Sequence, residues 1–99
     1  MKELLVALQL ARILAGETPG CPVEAKISAA HVYQVNSVWY GNANPQPVDI
    51  WIAFNWSKTK NPTPEARYFV SPSDVKKMPF LKRMLREWHC GGTTVRAYS

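Results

Sequence analysis

The residues whose types and spacing best suit chemistry are Glu24 and Lys26, which flank one alanine in the segment VEAKI. Apolar and charged residues alternate here, which predicts a β-strand with both charged side chains on one face, their Cβ atoms roughly 6–7 Å apart. A carboxylate in that position can bind Mg²⁺, and the ammonium can stabilise an attacking hydroxide or the crowded charge of a phosphate. The spacing therefore suits metal-dependent phosphodiester hydrolysis. An ordinary ion pair on an exposed strand face is the simpler interpretation.

The elements that must position these side chains follow from periodicity and from helix and turn signals. Residues 2–15 are rich in helix formers and end at Gly16, which predicts a helix. Residues 79–90 predict a second one, opened by Pro79 and carrying an apolar stripe. The predicted strands are 23–27, 31–40, 48–56 and 67–71, and the third of them is largely apolar and therefore central. A short capped helix is predicted to begin at Ser71 or Ser73, and the tail at 93–98 could add an edge strand. The expected fold is one α+β domain over residues 1–99, with an N-terminal helix, a mainly antiparallel mixed sheet of about four strands and a C-terminal helix.

The order of these segments carries a family resemblance. The runs VEAKIS, VDIWIAFNW and RYFVSPSDVKKM, with an aromatic strand after the first, span residues 23–78. This pattern resembles the PD-(D/E)xK nuclease superfamily of restriction-endonuclease-like domains. The resemblance implies Glu24 and Lys26 as catalytic residues on a strand, and Mg²⁺ as the cofactor if the protein is active.

The chain departs from that superfamily in one respect that bears on catalysis. The superfamily places an essential Asp on the strand before Glu-x-Lys, whereas residues 16–22 contain no Asp. Since Mg²⁺ at a phosphate needs at least two carboxylates, Glu17 and Asp49 are the candidates to join Glu24 as metal ligands. The missing Asp predicts a shortened, catalytically inactive relative that binds nucleic acid or a protein partner. An active Mg²⁺-dependent nuclease is an alternative.

The distribution of charge points to a possible partner. Residues 1–57 carry three cations and four anions, whereas residues 58–99 carry nine cations and three anions. The candidates for binding nucleic acid on or before the predicted C-terminal helix are Lys76, Lys77, Lys82, Arg83 and Arg86. A solvated basic helix face would give the same pattern.

A third hypothesis is a small non-enzymatic ligand-binding or assembly domain. Residues 4–15 are apolar almost all round, and a helix of that kind needs burial on more than one side, so we expect a homodimer through it. The aromatic residues that could line a ligand pocket or a dimer seam are Trp39, Tyr40, Trp51, Trp56 and Trp88. Ordinary core packing is the alternative for each of them.

The two cysteines and the apolar N-terminal run bear on location. Cys21 and Cys90 could form a disulfide, or bind zinc with His31 and His89, but their spacing supports neither. Residues 4–15 are interrupted by Gln9 and Arg12, which is unlike a signal peptide, and are too short to span a bilayer. The expected location is the cytoplasm, with no membrane partner.

Overall fold

The computed structural model describes residues 2–35 and 43–99, and the side chains of residues 4–33 and 43–99. The elements are α1 (Lys2–Glu17), α2 (Val23–Val35), α3 (Pro47–Asn55), a 3₁₀ turn (Trp56–Lys58), β1 (Tyr68–Val70), α4 (Pro72–Val75), β2 (Met84–Cys90) and β3 (Thr93–Tyr98). The α+β class is confirmed. The described part contains three strands rather than four, and it ends in a β-hairpin rather than a helix.

The N-terminal helix is confirmed, and it buries one face. Ala7, Leu10, Ala11 and Leu14 are buried at the spacing of an amphipathic helix, while Leu5 on the other side is exposed. This buried face packs on α2 and α3. None of the helices in the described part of the chain is long and apolar enough to cross a membrane.

The strand predicted at 23–27 is wrong, because these residues open α2. Ala25, Ala29 and Val32 are buried at i, i+4 and i+7, so the apolar pattern that looked alternating over five residues is helical over thirteen. Alanine is also the strongest helix former. Of the strand predicted at 31–40, residues 31–35 belong to α2, and 36–40 lie outside the described residues.

The central strand predicted at 48–56 is also wrong. Pro47 occupies the first turn of α3, where its missing N–H breaks no hydrogen bond, and the backbone N–H of Gln46 donates to Asp49 Oδ2 over 2.9 Å. Ile52 and Ala53 are buried while Ile50, Trp51 and Phe54 are exposed. Apolar residues on both sides of this segment therefore do not mean burial on both sides, since one side of α3 lies at the surface.

The helix predicted at 79–90 is replaced by β2, which pairs with the tail. The sheet has the order β1-β3-β2 and is antiparallel throughout, so the tail becomes the central strand rather than an edge. Gly91, with φ +62°, and Gly92 form the two-residue turn between β2 and β3, where a positive φ at the first position suits a type II′ hairpin. Pairing with the adjacent strand thus outweighed the helical pattern within the segment.

The predicted strand at 67–71 and the short helix after it are confirmed in outline. β1 covers Tyr68–Val70, with Phe69 opposite Ala97 of β3. Ser71 is the N-cap of α4 and Pro72 is its first residue. The helix ends at Val75, before Pro79.

The core lies between the inner face of the sheet and the first three helices. Trp88 of β2 stacks on Phe69 of β1, with ring centroids 5.9 Å apart. Cys90, at the end of β2, forms a disulfide with Cys21 in the turn before α2, with a Cα–Cα distance of 4.3 Å. The disulfide links the helical half of the chain to the sheet.

Removing this disulfide should destabilise the fold strongly. The bridge joins residues 69 apart, and closing a loop of that length restricts the unfolded chain by about 4 kcal/mol. We expect the double variant Cys21→Ser/Cys90→Ser to lose about that much free energy of unfolding in urea titrations. Cys21→Ser alone should lose a similar amount, since either change breaks the bridge. A loss under about 1 kcal/mol would show that the bridge is not structural.

Candidate functional site

A buried ion pair lies where the first three helices meet. Lys26 of α2 and Asp49 of α3 are 4% and 0% exposed, and Lys26 Nζ is 2.6 Å from Asp49 Oδ1. The ammonium also lies 3.3 Å from Oγ1 of Thr18, the residue just after α1. Asp49 Oδ2 accepts from the Gln46 N–H, so both carboxylate oxygens are engaged. Lys26 and Asp49 are therefore bound to each other inside the protein, away from solvent.

Glu24 and Lys26 do not face a common site. On a helix, residues two apart point about 200° from each other, whereas on the predicted strand they would share a face. Glu24 Oε1 instead accepts from Trp88 Nε1 over 3.1 Å and lies 2.7 Å from Arg86 Nη2. Glu24 thus joins the start of α2 to β2 at the edge of the core.

The three predicted metal ligands are also kept apart. Glu24 is bound to β2, Asp49 is buried with Lys26, and Glu17 lies exposed at the end of α1. Among the residues that the structure describes, no three His, Cys, Asp or Glu side chains are grouped so as to hold a metal ion. The candidate Mg²⁺ site therefore has no geometric support in this part of the chain.

Glu17 is a second carboxylate whose surroundings bear on its chemistry. It is the last residue of α1, and Thr18 beside it is buried, with its N–H 2.9 Å from the Leu14 carbonyl oxygen and its hydroxyl also donating to that oxygen. Although Glu17 is accessible, burial of its carboxyl raises its pKa, and the nearby Asp74 carboxylate raises it further. The described part of the chain gives the Glu17 carboxyl no hydrogen bond or ion pair.

Two other titratable groups interact with Glu17. Asp74 lies on α4, where its Oδ2 accepts from the Ser71 hydroxyl over 3.0 Å and its Oδ1 is 4.0 Å from Lys77 Nζ. The pKa of the Tyr33 phenol is raised, chiefly by burial and then by the charge of Glu17. The Glu17 carboxyl therefore interacts with an acid on one element and a phenol on another. A carboxyl in such surroundings holds its proton to higher pH than usual, as a general acid requires.

The five predicted nucleic-acid-binding residues are all exposed, but they share no helix. Lys76 and Lys77 follow α4, Lys82 and Arg83 lie in the connection to β2, and Arg86 is on β2. Three of them have acidic neighbours, namely Lys77 with Asp74 at 4.0 Å, Arg83 with Glu65 at 3.4 Å and Arg86 with Glu24 at 2.7 Å. Lys76 and Lys82 have no acidic partner among the described residues.

The aromatic residues serve different roles. Trp88 is 7% exposed and packs in the core, which confirms core packing for that residue. Trp56 is partly buried against His31, and Trp51 is 55% exposed on α3. Trp39 and Tyr40 lie outside the described residues.

Comparisons with known proteins add no assignment. No family model matches the chain, and neither the curated proteins nor the solved structures contain a significant match. The relationship to the PD-(D/E)xK superfamily therefore stays a prediction. Sequence reasoning named Glu17 only as a metal ligand and missed Tyr33 and Asp74, because no spacing along the chain brings residues 17, 33 and 74 together.

Breaking the buried ion pair should destabilise the protein more than an exposed change of the same kind. Lys26→Met leaves Asp49 charged and buried without its cation, at a cost of about 3–5 kcal/mol in the free energy of unfolding. Lys58→Met, which removes an exposed lysine from the 3₁₀ turn, is the matched control and should cost under about 0.5 kcal/mol.

The double variant Lys26→Met/Asp49→Leu separates the pair from simple loss of packing. Replacing both partners by apolar side chains removes the unpaired charge, so it should recover much of the stability that Lys26→Met loses. Urea titrations of the wild type, Lys26→Met, Asp49→Leu and the double variant measure this. Additive losses from the two positions would contradict the coupling.

Proposed function

We propose that the chain is a hydrolase in which Glu17 is the general acid–base residue and Asp74 is the second carboxylate. The observation that carries this proposal is the position of Glu17, which lies exposed at the end of α1 with no hydrogen bond or ion pair to its carboxyl among the described residues; burial and the neighbouring Asp74 also raise the pKa of that carboxyl. Carboxyls of that kind are concentrated at catalytic sites, although structural networks also produce them. The buried Lys26–Asp49–Thr18 network supports the proposal because it fixes the residue next to Glu17.

The class that we propose is hydrolysis of a bond whose leaving oxygen must be protonated, with the glycosidic bond as the example to test. Protonated Glu17 would donate to the leaving oxygen. Asp74, whose carboxyl group accepts from the Ser71 hydroxyl, would activate water or stabilise the developing positive charge on the sugar. Two carboxyl groups in different surroundings are the usual arrangement for this chemistry.

The proposal is tested by assaying soluble polysaccharides and aryl glycosides with the wild type and Glu17→Gln. We expect turnover by the wild type and at least an approximately hundredfold loss in Glu17→Gln, since the amide can neither donate nor accept the proton. Glu65→Gln is the matched control and should retain full activity, because Glu65 is an exposed carboxylate on the polar loop at 59–67 between the 3₁₀ turn and β1. Equal activity of Glu17→Gln and the wild type, or no hydrolysis of any of these substrates, would refute the proposal.

The pH profile gives a second reading on the same site. A general acid works only while protonated, so activity should fall as pH rises through the raised pKa of Glu17. Asp74→Asn removes one of the two causes of that shift, so the Glu17 carboxyl, followed directly by NMR, should titrate closer to the ordinary value of 4.5 in this variant than in the wild type. Equal titration of Glu17 in the two proteins would show that Asp74 does not act on it.

The second candidate is binding of nucleic acid or another polyanion, which the exposed Lys76 and Lys82 favour. Phosphate contacts by these cations predict an affinity for labelled duplex DNA that falls steeply as salt rises. Lys76→Ala/Lys82→Ala should weaken binding and flatten the salt dependence, whereas Lys60→Ala, an exposed lysine on the polar loop, should change both less. No detectable binding in low salt would exclude this candidate.

Three further expectations stay as proposals. A nuclease-like relationship, active with Mg²⁺ or inactive, is supported only by the sequence run at 23–78. A homodimer is supported by the exposed Leu4, Leu5 and Leu8 of α1, and sedimentation equilibrium would test it. The cytoplasmic location is weakened by the Cys21–Cys90 bridge, which favours an oxidising compartment because cytosolic thiols are kept reduced.

A further inference from the structure

His31 is the described residue with an unsatisfied buried polar atom. It lies on α2 against the 3₁₀ turn Trp56–Lys58, and its ring meets the Trp56 ring edge-on, with centroids 5.1 Å apart and an interplanar angle of 87°. Its Nε2 atom is buried and has no hydrogen-bond partner in the described part of the chain. A neutral imidazole tolerates this, because an unprotonated Nε2 only forgoes an acceptor contact.

Protonation changes that balance. Both ring nitrogens of a charged imidazole are donors, so Nε2 would carry an N–H, and a share of positive charge, at a buried position with no acceptor. The carbonyl groups of Thr59 and Trp56 favour the charged ring, but burial outweighs them, and the pKa of His31 is lowered from its ordinary value of 6.5. The folded contact therefore selects the neutral form.

The segment against His31 is held by the packing of Trp56 against the core and by a small number of described hydrogen bonds. The Trp56 carbonyl oxygen accepts from the Thr59 N–H over 3.1 Å and from the Thr59 hydroxyl over 2.6 Å. Beyond it, the hydroxyls of Ser28 and Thr63 share a hydrogen bond of 2.6 Å, which attaches the following loop to α2. A short turn with so few bonds opens at a lower free energy than a helix in the core.

We propose that His31 is a pH-sensitive latch: in its neutral form it holds the turn at Trp56–Lys58 on α2, and its protonation releases that turn. The trigger is the unpartnered Nε2, and the moving element is the segment from Trp56 to Thr59. Release lets the charged ring reach water while α1, α2 and α3 stay folded.

Other ionisable groups near α2 do not account for this behaviour. Those described on α2 itself and on the segments that contact it are Arg12 and Glu17 on α1, Glu24, Lys26 and Tyr33 on α2, Asp49 on α3, Lys58 on the turn, Lys60, Glu65 and Arg67 on the loop after it, Tyr68 on β1, Arg86, Glu87 and His89 on β2, and Arg96 and Tyr98 on β3. None of them is among the causes of the His31 shift, which are burial and the Thr59 and Trp56 carbonyls. Lys26 and Asp49 neutralise each other as a buried pair.

The direction of the pH effect follows from the lowered pKa. Between the ordinary value of 6.5 and the lower folded value, the released ring binds a proton that the latched ring does not. The latch is therefore fully closed above about pH 6.5 and opens as pH falls through this window. Within the window, the equilibrium constant for opening can rise by up to about tenfold for each unit by which pH falls.

The test is hydrogen exchange by NMR on the full chain between pH 7.5 and 5, expressed as protection factors that correct for intrinsic exchange. We expect protection of the Thr59 amide to fall with pH, while protection of buried amides in α1 stays constant. The His31 ring should titrate below 6.5. His31→Asn keeps a side-chain donor but cannot titrate, so its Thr59 protection should not depend on pH.

His89→Asn is the matched control, because His89 is the other histidine of the chain and its side chain is 77% exposed. This variant should keep the pH dependence of the wild type. A His31 ring that titrates at or above 6.5, constant Thr59 protection in the wild type, or equal loss of protection throughout α1 would each overturn the latch. The wild-type titration and exchange data decide this even if His31→Asn folds poorly.

Discussion

The contact between Lys26 and Asp49 constrains the helical half of this protein. Two opposite charges at 2.6 Å in the interior are tolerated only as a pair, because either one alone would lose its hydration without compensation. The pair joins α2 to the first turn of α3, and Thr18 connects it to the end of α1. The C-terminal end of α1 and the N-terminal ends of α2 and α3 therefore lie together. The apolar contacts of Leu14 and Ile52 alone would fix that meeting point less specifically.

The proposed acid–base site depends on this arrangement. Glu17 precedes Thr18 by one residue, so a network that contains no catalytic group fixes the backbone on which the Glu17 carboxyl stands. The disulfide acts on the same turn from the other side, since Cys21 follows Thr18 by three residues and is held to β2. Lys26 and Asp49 thus give structural support to the site without taking part in its chemistry.

Local pattern misled the strand predictions in ways with physical causes. Five alternating residues at VEAKI fit a strand, but the alanines at 25, 29 and 30 extend the buried side at helical spacing. VDIWIAFNW appeared to be a strand covered on both faces because Ile50, Trp51 and Phe54 are apolar yet exposed. For Met84–Cys90 the sequence predicted a helix and the structure has a strand, because pairing with Thr93–Tyr98 outweighed the apolar stripe at helical spacing. A β-ladder depends on its partner strand, which periodicity within one segment does not reveal.

The sequence by itself determined the α+β class, the N-terminal helix, the strand around Phe69, a short helix capped by Ser71 or Ser73 and the uneven distribution of charge. Each of these depends on residues close together in the chain. The tertiary structure alone decided that Lys26 pairs with Asp49, that Cys21 bridges Cys90, and that Glu17 interacts with Tyr33 and Asp74. The tertiary structure also decided that Glu24 and Lys26 point in different directions. Residues two apart share a face on a strand but not on a helix. Packing against the rest of the chain made the choice between strand and helix.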